Sequence, residues 1–237
     1  QSDQLKKKMD ETGVNLITLS HGEPMEIHFE DPSKHEQIIE EHVRLGSFIQ
    51  KLGCAHLKAT AGPRKPNGST ASDLKNMAIV FNEIGRQLNE VGIRFAVHSR
   101  MRSQLERHSE IYSILGNTNP KHVSFVLDTG HITLAGINPV KLARELKSRV
   151  IEYHLKDTPE VTRGGARKRI PQTDSLEEPV FFALGTTGGV DFEALKDQLD
   201  SLQWKGWLTC ELDSSPMRPP VESARINREY MRRVFSL

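Results

Sequence analysis

Apolar positions along this chain gather into six short runs, and between the runs their spacing changes to that of a helix. The runs are NLITLSH (15–21), CAHLKAT (54–60), IRFAVH (93–98), HVSFVLDTGH (122–131), VIEYHLKD (150–157) and GWLTCELD (206–213). An amphipathic helix, QSDQLKKKMDETG, opens the chain, and the periodicity predicts further helices over 34–52, 72–91, 103–116, 139–147, 191–202 and 220–235. Strand and helix therefore alternate throughout, which is the pattern of a parallel sheet with crossover helices. Gly53, Gly92 and Gly206 each stand between a helical stretch and the next strand, and Asp73 and Asp191 precede helical stretches as candidate N-caps. With no fixed-period repeat and no linker, residues 1–237 read as one domain.

Side-chain alternation sorts each run into two faces. In VIEYHLKD one face carries Glu152, His154 and Lys156, and the other Ile151, Tyr153 and Leu155. Thr209, Glu211 and Asp213 oppose Leu208, Cys210 and Leu212 in the same way, as do Ser124, Val126 and Asp128 against Val123, Phe125 and Leu127. An open doubly wound sheet, covered by helices on both sides, would favour apolar residues on both faces. A closed β/α barrel accounts for the split: apolar residues meet the helix ring, and the polar set lines the C-terminal mouth where such barrels place their sites.

Composition narrows the partners. The net charge is +1 with 27% charged residues, which offers no basic footprint for nucleic acid, and no run is long enough to cross a membrane. A small molecule is the expected partner. Cys54 and Cys210 both fall in apolar runs and read as free thiols in a reducing, cytoplasmic compartment.

The strand ends hold the candidate chemistry. Taken singly, Asp128 reads equally as the N-cap of a turn, His131 as a surface residue, His154 as a core histidine and Glu211 as half of an ion pair. Jointly they are harder to dismiss, because buried carboxylates are costly unless paired, hydrogen-bonded or bound to metal. Asp, Glu and His at parallel strand ends form a mixed oxygen and nitrogen set suited to Mn²⁺, Co²⁺, Zn²⁺ or Fe²⁺.

The order DTGH, RVIEYHLKD, LGTTGGVDFEALKDQL, GWLTCELD resembles the xylose-isomerase-like TIM-barrel superfamily of sugar isomerases and epimerases, and within it the inosose dehydratase branch. The resemblance implies a TIM (β/α)8-type barrel and one divalent metal, Mn²⁺ foremost. By the match of VHSRMRSQLERHSEI to a segment with two strand-end histidines, a Met-Gly-Thr and a loop glutamate, Glu106 is implied as a ligand beside Asp128, His154 and Glu211. Arg100 stands where the second histidine would be, and Arg102 and Ser103 replace the Gly-Thr pair; LGTTGGVDF also lacks the acidic residue often found in its glycine turn. These departures bear on the substrate more than on the metal. The family barrel has eight strands and six are legible, so the first two are expected to precede Gln1, and a second subunit in a homo-oligomer, or rearranged termini, should cover the exposed edges.

The chemistry so implied is isomerisation, epimerisation or dehydration of a sugar, keto-polyol or inosose through a metal-stabilised enediolate. Glu106 and Glu211 are implied as the acid/base pair. Lys156 would stabilise an oxyanion or protonate a leaving hydroxyl, or else be a solvated lysine paired with Asp157. His98 and His131 would orient hydroxyls, and His21, Lys58 and Arg100 stand at other strand ends. The arginine-rich loop VTRGGARKRI (161–170) reads either as a lid attracting an anionic group or as a solvated loop. A non-catalytic binding barrel is the alternative to an enzyme. A phosphodiester hydrolase of the apurinic endonuclease type is a weaker one, since the Asp-x-His it requires after the seventh strand is absent from 158–190.

Overall fold

The structure is a computed structural model that describes residues 2–21, 27–165, 181–215 and 217–237. It holds six strands, each followed by helix: β1 (Thr18–His21), β2 (His56–Thr60), β3 (Arg94–His98), β4 (Val123–Asp128), β5 (Val150–Leu155) and β6 (Trp207–Cys210). The helices are α1 (Ser2–Thr12), α2 (His35–Gln50), α3 (Ala71–Glu90), α4 (His108–Gly116), α5 (Thr129–Leu134), α6 (Pro139–Glu145), α7 (Phe192–Ser201) and α8 (Pro220–Tyr230). All six strands fall inside the apolar runs: β1, β2 and β3 start one to three residues later and reach the end of the run, while β4, β5 and β6 stop before it. No helix among the described residues is long and apolar enough to cross a membrane.

Chain packing defines two compact units, Gln1–Val126 and Leu127–Leu237. In the first, parallel pairing sets His56 opposite Arg94, Thr60 opposite His98, and His98 opposite Val126, while His21 lies opposite Ala59. Lys58, Thr60 and His98 thus share one face, and His21 belongs to the other. That other face is apolar and packs on α2 and α3: Leu57, Met77, Phe81, Ile84 and Phe95 are fully buried, with the Phe81 and Phe95 rings 5.8 Å apart. Gly53 and Gly92 turn the chain from α2 and α3 toward the next strand with φ of 78° and 76°, a conformation in which a Cβ would be strained.

In the second unit β5 pairs in parallel with β6, placing His154 directly opposite Thr209. Tyr153, on the opposite face from His154, is fully buried and meets Trp204 edge-on at 4.8 Å. Phe192, Leu195 and Leu199 of α7 bury the apolar stripe that the sequence shows over 191–202. Asp191 caps α7 by accepting from the Ala194 amide, as expected.

Three local expectations change. The cap of α3 is Thr70, not Asp73: Thr70 Oγ1 accepts from the Asp73 amide while the Asp73 carboxylate accepts from the Thr70 amide, a reciprocal capping box. The helix expected from 103 begins at His108, because Arg64 and Gln104 donate their amides to the carbonyls of Arg102 and Gly62 and hold 102–104 as loop, with Arg102 at a φ of 65°. The helix expected over 220–235 ends at Tyr230 and passes into a single π turn over Met231–Phe235. Neither Cys54 nor Cys210 is part of a disulfide among the described residues.

Candidate metal centre and active site

The second unit concentrates charge at the end of β5 and β6. Asp128 closes β4 and caps α5, its Oδ1 accepting the His131 amide at 2.9 Å. The cap leaves Oδ2 to face the β5 side chains: it lies 3.5 Å from His154 Nδ1 and 3.2 Å from Lys156 Nζ. Glu211, just beyond β6, brings Oε2 to 2.7 Å from the same Nδ1 and 3.0 Å from the same Nζ. Cap and candidate ligand, alternatives in the sequence, are thus two oxygens of one carboxylate.

Lys156 is almost fully buried and pairs not with Asp157 but with Asp213, at 2.5 Å, besides Asp128 and Glu211. Burial works against its charge, yet the three carboxylates outweigh burial and hold the amine above its usual range. The Phe181 ring lies under the ammonium at 4.9 Å, and His131 Nε2 is 3.4 Å from Nζ. Gly130 makes this approach feasible, since a Cβ there would lie 2.8 Å from Phe181 and 2.9 Å from the Lys156 Cβ.

Asp157 is fully buried and accepts the backbone amides of Thr158, Thr187, Gly188 and Val190. Its carboxylate therefore organises the LGTTGGV turn rather than neutralising Lys156, and Phe182 pairs its backbone with Asp157 in the same corner. Of the arginine-rich loop, 166–170 lies outside the described residues. Arg163 docks on that turn through the Gly188 carbonyl and Asp191.

In the first unit, Glu106 Oε2 faces Arg64 at 3.4 Å and accepts the Arg102 amide at 3.3 Å. Arg64 itself grips Glu110 through two hydrogen bonds of 2.9 and 3.1 Å. His98 Nδ1 lies 3.4 Å from Thr60 Oγ1 on the face shared with buried Lys58. Arg100 is only partly buried, and its carbonyl accepts from Ser103. His21 turns the other way: its ring meets the His42 ring of α2 at 4.7 Å and its Nε2 lies 3.7 Å from Glu41. Its strand-end position identified the end correctly but not the face.

Two neighbours of the Lys156 cluster had no role assigned from sequence. Asp213 and Glu152 are legible as polar-face residues from alternation alone, but their contacts are not. Glu152 is fully buried, with Oε1 3.3 Å from His154 Nε2 and 2.6 Å from Thr209 Oγ1.

The carboxylate-rich cluster and the parallel βα units define a class that comparison with known proteins identifies. Residues 1–234 match the xylose isomerase-like TIM barrel family, and the chain belongs to that family. The inosose dehydratase of Clostridium tetani is 27% identical over 164 residues, which cover 68% of this chain and 55% of that protein. The chain thus spans about half the length of curated relatives such as this one. A solved sugar phosphate isomerase/epimerase from Parabacteroides distasonis shares the fold with a TM-score of 0.74 at 18% identity, covering 97% of this chain and 74% of that one. The IolI protein with a bound zinc atom does so with a TM-score of 0.76 at 17% identity, covering 100% and 82%.

Proposed function

We propose that this chain is a divalent-metal-dependent isomerase, epimerase or dehydratase acting on a sugar, keto-polyol or inosose. The observation that carries the reading is the convergence of Asp128 Oδ2 and Glu211 Oε2 on His154 Nδ1, with the Lys156 ammonium against the same two oxygens. The donors fit a metal by their chemistry: two carboxylate oxygens and an imidazole nitrogen suit Mn²⁺, Co²⁺, Zn²⁺ and Fe²⁺, and the nearby ammonium shows that these carboxylates take up positive charge. Asp128, His154 and Glu211 would hold the ion. Glu106 keeps the ligand and acid/base role given by the resemblance as a separate proposal, checked by the metal content of E106Q.

A bound divalent ion supplies Lewis-acid polarisation of a carbonyl and its neighbouring hydroxyl. The chain's residues do the rest. Glu211, with its side chain 37% exposed, is open enough to take the proton from the carbon beside a carbonyl and return it elsewhere on the substrate. Lys156, steadied by Asp213 and Phe181, is placed to donate to an oxygen that gains charge or to a departing hydroxyl. His131 Nε2, beside Lys156, orients a substrate hydroxyl, and His98, Lys58 and Arg100 are offered the same role on the resemblance.

The test is exchange of solvent deuterium into a ketose or inosose at the carbon beside the carbonyl. Exchange by Mn²⁺-loaded protein that is lost in E211Q supports the reading. Tight sugar binding with no exchange would make the chain a binding barrel instead.

A further inference from the structure

Glu152 has no part in the chemistry above, yet it is a fully buried carboxylate two residues before a proposed ligand. Burying such a group is costly unless its oxygens are well supplied with hydrogen bonds. Here Oε1 receives the Thr209 hydroxyl at 2.6 Å and faces His154 Nε2 at 3.3 Å. The register explains the trio: Thr209 stands opposite His154 across the β5–β6 pairing, and Glu152 shares the face of His154 by alternation.

An imidazole has two distinct nitrogens, and a carboxylate can only accept. The nitrogen facing Glu152 must therefore carry hydrogen, because an Nε2 lone pair directed at Oε1 would set two acceptors against each other. The other nitrogen, Nδ1, points between Asp128 Oδ2 at 3.5 Å and Glu211 Oε2 at 2.7 Å, so it is the nitrogen that an ion held by those two oxygens would meet. The ring plane is fixed by the same contacts.

We propose that Glu152 is a positioning residue that fixes the His154 ring by accepting from Nε2–H, with Thr209 holding Glu152, so that Nδ1 is the nitrogen turned toward Asp128 and Glu211. The proposal rests on the metal reading above for its consequence, but not for its geometry. Outer-sphere partners of this kind typically change metal affinity by about 10- to 100-fold.

The test uses E152Q, E152M and T209V in the whole chain, with two readouts: Mn²⁺ dissociation constants from chelator competition, and the His154 ring signals in ¹⁵N NMR of metal-free and Zn²⁺-loaded protein. Mn²⁺ binding should weaken by about 10-fold in E152Q and about 100-fold in E152M, with T209V weaker than wild type by less than E152Q. The hydrogen-bonded Nε2–H signal should be present in wild type, shifted in E152Q and T209V, and missing in E152M. If E152M fails to fold, the isosteric E152Q and the T209V variant carry both readouts. Wild-type affinity together with unshifted ring signals in the folded variants overturns the proposal. Wild-type protein that binds no Mn²⁺, but whose Nε2–H signal responds to the variants as stated, overturns the metal reading and leaves the positioning role standing.

Discussion

The two compact units bury charge in opposite styles. In the first, buried charges meet matched partners: Arg64 and Glu110 bond two to two, and Asp73 completes the Thr70 capping box while accepting from Lys65 at 2.7 Å. In the second, Asp128, Glu211 and Asp213 all press on the one ammonium of Lys156, while Asp128, Glu211 and Glu152 surround His154. Matched pairs hold a fold together. An acid-rich cluster kept at strand ends costs stability that matched pairs do not, so it points to a task, which the function proposed above takes to be the binding of a cation and a polar substrate.

Breaking the second cluster should therefore cost function, and breaking the first should cost stability. The largest effect is expected from H154A and E211Q, which remove donors: bound metal should vanish and deuterium exchange should fall by at least about 100-fold, the upper end of what even outer-sphere changes cost. K156M should retain metal while lowering turnover by about 10²- to 10³-fold, the usual scale for removing a donor to a charge that develops in the reaction. K156R should not restore it, because a planar guanidinium cannot occupy the compact space between Asp213 and Phe181.

On the stability side, E110A strips Arg64 of its two-point partner and should lower the unfolding free energy by about 3 kcal/mol in urea titrations, leaving metal content unchanged. Acid should act on the same unit through His42, which is fully buried, donates Nδ1–H to the Ile38 carbonyl at 2.7 Å, and is pushed down to about 4 mainly by burial. A histidine whose folded value is depressed favours the fold above its ordinary value of 6.5, and that stability is lost as pH falls from there toward 4. The loss should be about 3 kcal/mol at roughly 1.4 kcal/mol per unit, and H42L should flatten the acid limb of the stability curve. Smallest is T70A, about 1 kcal/mol for the lost cap of α3.

What the sequence made legible follows the same division. Strand periodicity located all six strands and placed Glu152, His154 and Lys156 on one face, because alternation is a local property of the backbone. It also placed Asp128 and Glu211 at strand ends. It failed where the partner is distant in sequence. The alternative of a solvated Lys156 paired with its neighbour Asp157 does not hold, since Asp213 takes the ammonium and Asp157 takes four amides from the backbone. The α4 start was read too early because the 100–107 loop is held by backbone bonds to 62–64, which no helical pattern reveals. His21 showed its strand end but hid its face until the register with β2 was known.

The central claim is that Asp128, His154 and Glu211 hold one divalent ion. Elemental analysis of the purified chain, reconstituted with Mn²⁺ and freed of loose ions, tests it most directly. The account expects about one equivalent per chain in wild type, on the ligand set described, and next to none in H154A or E211Q. Metal absent from the wild type, or present equally in all three, would contradict it.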